Sequence, residues 1–395
     1  SYRIYWADGP MDIPSDYNEL RALFEKTEPG AGARLDQFMK EAAYKYDIGI
    51  NKLVFKPGQS YAEFADWDLM KGLFKLDVLV SMRKHISQFF KHPKLRQLME
   101  FPVLFLGALP QDIPALYSLM NYADIKLGTW YPVGGMYSVV DAMYKLATEL
   151  GVEFCFDHNV TAVNIDGKNI KSVTAAHAVE GQSPETVTIE ADVVIGGADY
   201  HFMESGLLPT DKRSYSDAYW DKRVMAPSCL LYYVGLNKKL PGILHHCLFF
   251  DQDFEKHGEE IYKTKEWPSS PSFYVSVSSA TEGSVAPPGG ENLFFLIPVS
   301  AGLSGDTDAL REQYFNIIVE RFEKLTGYTI KDAIVYKRNY GVSDFTMDYN
   351  SFKGNAYGLA NTILQTANLK PSIINKKVTN LFYTGQLTVP GPGVP

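Results

Sequence analysis

Apolar and polar positions change rhythm three times along this chain. From Arg34 to Asp124 the rhythm is helical. Leu35, Phe38, Met39, Ala42, Ala43 and Tyr46 recur at helical spacing and draw one continuous apolar stripe. Val78–Phe90 and Lys94–Leu106 extend this reading, the second opened by Pro93 at its start. Ahead of it, Ser1–Trp6 and the turn Ala7-Asp8-Gly9-Pro10 predict a strand and hairpin entering mid-sheet. Asp16 predicts the N-cap of a helix that stops near Glu28-Pro29-Gly30.

After Asp124 the pattern mixes. Ser138–Leu150 is a periodic helix closed by Gly151, and His158–Ile165, Ile170–Ala176 and the apolar run within Ala191–Asp199 read as strands. Between 225 and 300 the alternation is that of β-structure, with strands at Cys229–Leu236, His245–Phe250, Phe273–Ser278 and Leu293–Val299. One long helix follows, Ala309–Thr326, capped by Asp306 or Thr307, stopped by Gly327 and expected to bury Leu310, Tyr314, Ile317, Ile318 and Leu325. No repeat or flexible linker interrupts the chain, so its domains are expected to interleave. The pattern predicts a mixed α/β (α+β) fold.

Composition narrows the class. At 395 residues, with 46% hydrophobic and 21% charged positions, the chain has the makings of a sizeable core and is not a disordered protein. A formal charge of -8 without a Lys/Arg run argues against nucleic acid as partner. Cys155, Cys229 and Cys247 form neither a CxxC pair nor a disulfide framework, which points to a reducing cytoplasm. His245-His246 beside Cys247 invites a metal reading, but neighbours in a strand face opposite ways, so no metal site is expected there. Gly30-Ala31-Gly32-Ala33 lacks the third glycine of a dinucleotide fingerprint and follows a helix, not a strand. No window reaches the ~20 apolar residues of a membrane span. The most apolar run, Phe101–Pro110, is either core or a segment that dips into one leaflet. Met70, Met82 and Met99 with nearby aromatics are likewise either plain core or the lining of a pocket for a flexible hydrocarbon.

The most informative stretch is Val378–Pro395, VTNLFYTGQLTVPGPGVP. Leu381-Phe382-Tyr383 reads as a buried strand ending at Gly385, followed by Pro390-Gly391-Pro392-Gly393 and Val394-Pro395. Glycines here let backbone approach a bound group closely, and prolines stiffen the turn. A strand running into such a turn suits a phosphate-bearing cofactor.

This stretch resembles the C-terminal signature of the bacterial phytoene desaturase family, a carotenoid branch of the amine-oxidase-like flavoproteins. Asn380, Phe382, Tyr383, Gly385, Pro390, Gly391, Gly393 and Val394 fall on the signature, while Gln386, Leu387, Val389 and Pro392 depart from it. Trp130-Tyr131-Pro132-Val133-Gly134-Gly135 resembles that family's turn before the second part of its flavin domain. The resemblance implies an FAD-binding Rossmann-like domain, present in part, from 125–210 plus 376–395. It also implies a mixed β-sheet substrate domain from 1–30 plus 211–375 and a helical, membrane-apposed cap over 31–124. By the same resemblance Gly134, Gly135, Val160, Gly197, Thr384, Gly385, Gln386, Gly391, Pro392, Gly393 and Val394 bind FAD. Tyr357 and Gln365 face a substrate channel, and Asp344 and Asp348 are acidic residues near it.

The activity implied is removal of two hydrogens from a C40 polyene, phytoene towards lycopene, with FAD accepting hydride and quinone or oxygen accepting the electrons. The cofactor carries the difficult step, which fits the lack of a visible catalytic triad or metal cluster; no catalytic acid or base is assigned. A related carotenoid isomerase, a hydroxycarotenoid 3,4-desaturase and a non-catalytic escort protein for prenyl or polyene groups share these motifs and stay open. The expected location is cytoplasmic, peripheral on the inner face of the cell membrane. The family's strand–GxGxxG–helix unit is expected ahead of Ser1 and a helix beyond Pro395, segments on the order of 90 and 20–25 residues.

Overall fold

The computed structural model describes residues 1–60, 63, 76–178, 183–365 and 369–391, without the side chains of 104–106 and 363. Met70, the Phe105 side chain, Pro392, Gly393 and Val394 lie outside the described residues. The fold is mixed α/β.

Its largest layer is a seven-stranded sheet. The strands are β1 (Tyr2–Trp6), β2 (Gly9–Ile13), β7 (Ser228–Leu236), β8 (His246–Phe249), β9 (Phe273–Ser276), β10 (Glu291–Val299) and β11 (Ile334–Tyr340). Across the sheet they run in the order β11-β7-β10-β9-β8-β1-β2. Side-chain alternation gives this sheet two apolar faces. Leu230, Tyr232, Val234 and Leu236 of β7 join Phe249, Val275, Phe295 and Ile297 on one face. Against it lies the helix Asp308–Thr326, which buries Tyr314, Phe315, Ile318, Val319 and Phe322. The helix face is therefore rotated from the expected one: Ile317 and Leu325 are only half-buried, and Phe315, Val319 and Phe322 take the core. Thr307 is the cap, its Oγ1 accepting from Leu310 N, and Gly327 stops the helix at φ 79°.

On the opposite face Ile4, Trp6, Leu248 and Phe250 pack against the helical stretch. There the helices Tyr17–Thr27, Ala31–Tyr46, Met82–Phe89 and Pro93–Glu100 form, the first capped by Asp16 accepting from Asn18 N and Glu19 N. Leu35, Phe38, Met39 and Ala42 of the expected stripe are buried. Gly30, at φ 79°, caps the second of these helices. The β1–β2 hairpin does not enter mid-sheet. β2 forms the sheet edge and β1 pairs parallel with β8.

Two smaller sheets complete the fold. One is the antiparallel ladder β3 (His158–Asp166), β4 (Asn169–His177) and β5 (Glu185–Glu190), of which β5 was not legible in the pattern. The other is the parallel pair β6 (Val194–Gly196) and β12 (Leu381–Tyr383).

Candidate flavin site

Three residues are enough for β6 and β12 to align Leu381 with Val194, Phe382 with Ile195 and Tyr383 with Gly196. Thr384 N continues the ladder by donating to Gly196 O at 3.1 Å. Because the pairing is parallel, both strands end at the same level, and Gly197 emerges beside Thr384 and Gly385. A Cβ on Gly197 would lie 3.9 Å from Thr384 Cγ2.

Gly385 has φ +115°, and among the described residues a Cβ built on it meets nothing within 4 Å. Thr384 and Gly385 face solvent while Leu387, Thr388 and Val389 are buried, so the turn is anchored on one side and bare on the other. Thr388 N donates to Gly385 O at 3.3 Å, and Thr388 Oγ1 donates to Pro371 O at 2.6 Å. Gly358 supports it from behind: at φ +81°, its own Cβ would stand 2.3 Å from Gln386 O. The open ground before Gly385 and Gly197 is what a flat group needs to lie against backbone, and the residues fit such a group.

Beneath the strand ends lies a buried polar network. Glu204, 1% exposed, accepts from Ser214 N, Tyr215 N, Asn375 Nδ2 and Tyr383 O–H at 2.8, 3.1, 3.2 and 3.0 Å. Asn375 Nδ2 also donates to Tyr383 Oη at 2.8 Å, and Tyr200 stacks on the Tyr383 ring with centroids 3.8 Å apart. Burial, then the Glu204 charge, raises the Tyr383 phenol above its usual range, so the hydroxyl stays a donor.

Asn380 ties this pair to the three-stranded sheet. Its Oδ1 accepts from Ile170 N at 2.8 Å, and its Nδ2 donates to Ile170 O at 3.0 Å and Asp192 O at 2.8 Å. The clamp grips the Ile170 end of β4; Val160 lies towards the other end of the ladder, where it is half-buried, pairs with Ala175 and precedes an irregularity. Gly134 and Gly135, at φ +82° and +90°, have other neighbours: Ser138 for the first, Val285 and Tyr131 for the second. Gln386 is half-buried and Gly391 adopts φ +125°.

Several polar residues read near a channel are already committed. Gln365 accepts from Val224 N and donates to Val224 O and Ala360 O, so its amide holds backbone. Asp344 accepts from Gly341 N and pairs with Arg311, and Asp348 accepts from the Tyr340 hydroxyl. Tyr357 packs with Cys229, Leu231 and Leu296 on the sheet face away from the Asp308–Thr326 helix. His245 and His246 contact Thr281 and Tyr274. Ligand atoms of Glu41, Asp77 and His85 lie within 4.8 Å of one another. Lys45 Nζ stands among them, 2.8 Å from Asp77 Oδ2 and 3.4 Å from His85 Nε2, and supplies the positive charge there.

Glu204, Asn375 and Gly358 carried no sequence signal for this site. Their partners lie elsewhere in the chain or are backbone atoms, and neither relation leaves a periodicity.

The family model of flavin containing amine oxidoreductases matches residues 5–391. The chain belongs to this family and is an FAD-dependent oxidoreductase. In sequence it is similar to a carotenoid 3,4-desaturase of Haloarcula japonica, 37% identical over 399 residues, covering 100% of this chain and 78% of that protein. It is also similar to a zeta-carotene-forming phytoene desaturase of Myxococcus xanthus, 28% identical over 405 residues and covering 100% and 75%. A redesigned putrescine oxidase shares the fold with a TM-score of 0.54 at 10% identity, covering 97% of this chain and 75% of that one.

Proposed function

We propose that the protein dehydrogenates a carbon–carbon bond of a carotenoid, with FAD held at the bare turn formed by Gly197 and Thr384–Gln386. The carrying observation is the open backbone at Gly385, where β6 and β12 end together. Gly134, Gly135, Val160, Gly197, Thr384, Gly385, Gln386, Gly391, Pro392, Gly393 and Val394 are the residues that would hold the cofactor. When bound, FAD supplies the hydride acceptor, and a proton leaves the neighbouring substrate carbon. This chain's own part is to bind, orient and exclude water. The apolar sheet face of Cys229, Leu231, Leu296, Phe294 and Tyr357 offers a polyene an apolar wall.

Two bonds compete. Phytoene towards lycopene is one reading; 3,4-desaturation of a hydroxylated carotenoid is the other, favoured by 37% against 28% identity. Flavin-loaded protein is incubated with each substrate, with quinone or with oxygen as acceptor. Loss of two mass units with a red-shifted spectrum identifies the substrate and the acceptor. An unchanged mass at a new retention time would mean isomerisation, and binding without conversion an escort role; either overturns the proposal.

We also place the protein at a membrane surface, where such hydrocarbons dissolve. Among the described residues no helix is long and apolar enough to cross a membrane. In the apolar run Phe101–Pro110, Pro102, Val103, Ala108 and Leu109 are buried, and the side chains of 104–106 lie outside the described residues. Phe55 and Leu79, 74% and 89% exposed, are better placed. Liposome flotation of wild type and Leu79→Asp tests this: the variant should stay with the soluble fraction.

A further inference from the structure

Lys370 is 3% exposed, and among the described residues its Nζ has no hydrogen-bond partner. The backbone that follows it is pinned. Pro371 O accepts from Thr388 Oγ1, Ser372 N donates to Tyr215 Oη at 2.9 Å, and Tyr383 N donates to Ile373 O at 2.8 Å. The side chain runs to the Gly391 turn. A Cβ built on Gly391 would lie 3.1 Å from Lys370 Cε and 3.3 Å from Nζ, with Asn361 Oδ1 at 3.7 Å. Burial alone lowers this ammonium to about 8; no carboxylate holds it up.

Among the described residues the other buried cations, Lys45 and Arg311, and the half-buried Arg321 are matched. Lys45 pairs with Asp77, Arg311 with Asp306 and Asp344, and Arg321 with Asp251. A buried ammonium without a partner is unfavourable, and such a group calls for one. We propose that Lys370 is the cation that meets the negative charge of bound FAD at the Gly391 turn. The absence of a side chain at Gly391 leaves that approach clear. This rests on reading the turn as a flavin contact. FAD presents negative charge at its diphosphate in either oxidation state, and at its ring once it has taken up a hydride's electron pair. Both offer acceptors that an ammonium can meet.

The experiment compares wild type with Lys370→Met, a swap of similar length, and with Lys370→Gln should the first fail to fold. Without flavin, the variant should melt at a higher temperature, because an unpaired buried charge is gone; FAD should then raise its melting temperature by less than it raises that of wild type. If the ring is the partner, reduced flavin loses about tenfold in binding relative to oxidised, a potential lower by roughly 30 mV for two electrons, and sulfite adds more weakly. If the diphosphate is the partner, FAD affinity falls about tenfold in both states and the potential holds. Unchanged affinity together with unchanged potential overturns the inference, as does a flavin-free variant that melts lower. Gly385→Val separates the two layers. Full flavin occupancy there overturns the flavin reading of the turn; lost occupancy there with a silent Lys370→Met overturns only the role of the lysine.

Discussion

Two glycines, one in the turn and one behind it, look alike in sequence and differ in what surrounds them. Gly385 has free space before it, whereas a Cβ on Gly358 would overlap Gln386 O at 2.3 Å. Both are at positive φ, +115° and +81°, which costs any other residue roughly 1–3 kcal/mol. Gly385→Ala should therefore lower flavin-free stability by about that strain alone, while sharply reducing flavin occupancy. Gly358→Ala adds a backbone clash to the strain, and overpacking typically costs a further ~1–3 kcal/mol. Denaturant melts of flavin-free protein, read beside flavin absorbance per folded molecule, should show the two variants failing in different ways. Equal loss of stability in both would contradict the open ground at Gly385.

At the scale of elements, the β6–β12 pair is too short to stand by its own ladder. Three residues a side are held by Asn380, whose amide bonds Ile170 and Asp192, and by the Glu204–Tyr383–Asn375 network underneath. Asn380→Ala leaves the Ile170 amide without its acceptor and two carbonyls without their donor, at about 1–3 kcal/mol for a buried group left unmet. Hydrogen exchange at the Ile170 amide should speed up well beyond that of the Val275 amide in the large sheet. If both amides change alike, the clamp is not local. The first element of the C-terminal signature, an asparagine ahead of the strand, thus has a structural task besides any contact with a cofactor.

Across the whole molecule, burial sets the response to acid. His257 is 3% exposed; its Nδ1 accepts from Ser272 N and its Nε2–H donates to Pro298 O, so it is held neutral. Burial lowers it to about 4. Below about pH 6.5 the unfolded chain takes up a proton that the folded chain refuses, so stability is complete above 6.5 and falls as pH drops towards 4. For His257 alone the loss reaches roughly 3 kcal/mol. His257→Gln should flatten that part of the stability curve between pH 6.5 and 4; an unaltered slope would place the cause elsewhere. His246, also lowered to about 4 by burial, leaves a residual slope. A second whole-molecule feature is the helix Tyr137–Glu149, which buries no residue and exposes Val140 and Leu146 at 56% and 57%. Val140→Lys with Leu146→Lys should reduce dye binding and self-association of this chain without lowering its melting temperature.

The pattern of the chain by itself determined a good deal. Asp16 as a cap, a cap at Asp306 or Thr307, Gly327 as a stop, Pro93 at a helix start and the strands from Cys229 to Val299 are local facts of propensity and alternation, readable wherever the segment sits. The C-terminal signature gave the family by its residues, and with the family the cofactor. Tertiary structure decided what distance along the chain conceals. Which face of Asp308–Thr326 is buried depends on Phe249 and Phe295 across the sheet, so Phe315 and Phe322 replaced Ile317 and Leu325. Lys370, read in sequence, is a lysine before a proline, a residue that belongs in water. The return of the chain through Thr388 brings Gly391 against it, and there it is buried. A charge states its own preference in the sequence, but its partner and its dielectric are supplied by residues folded in from elsewhere.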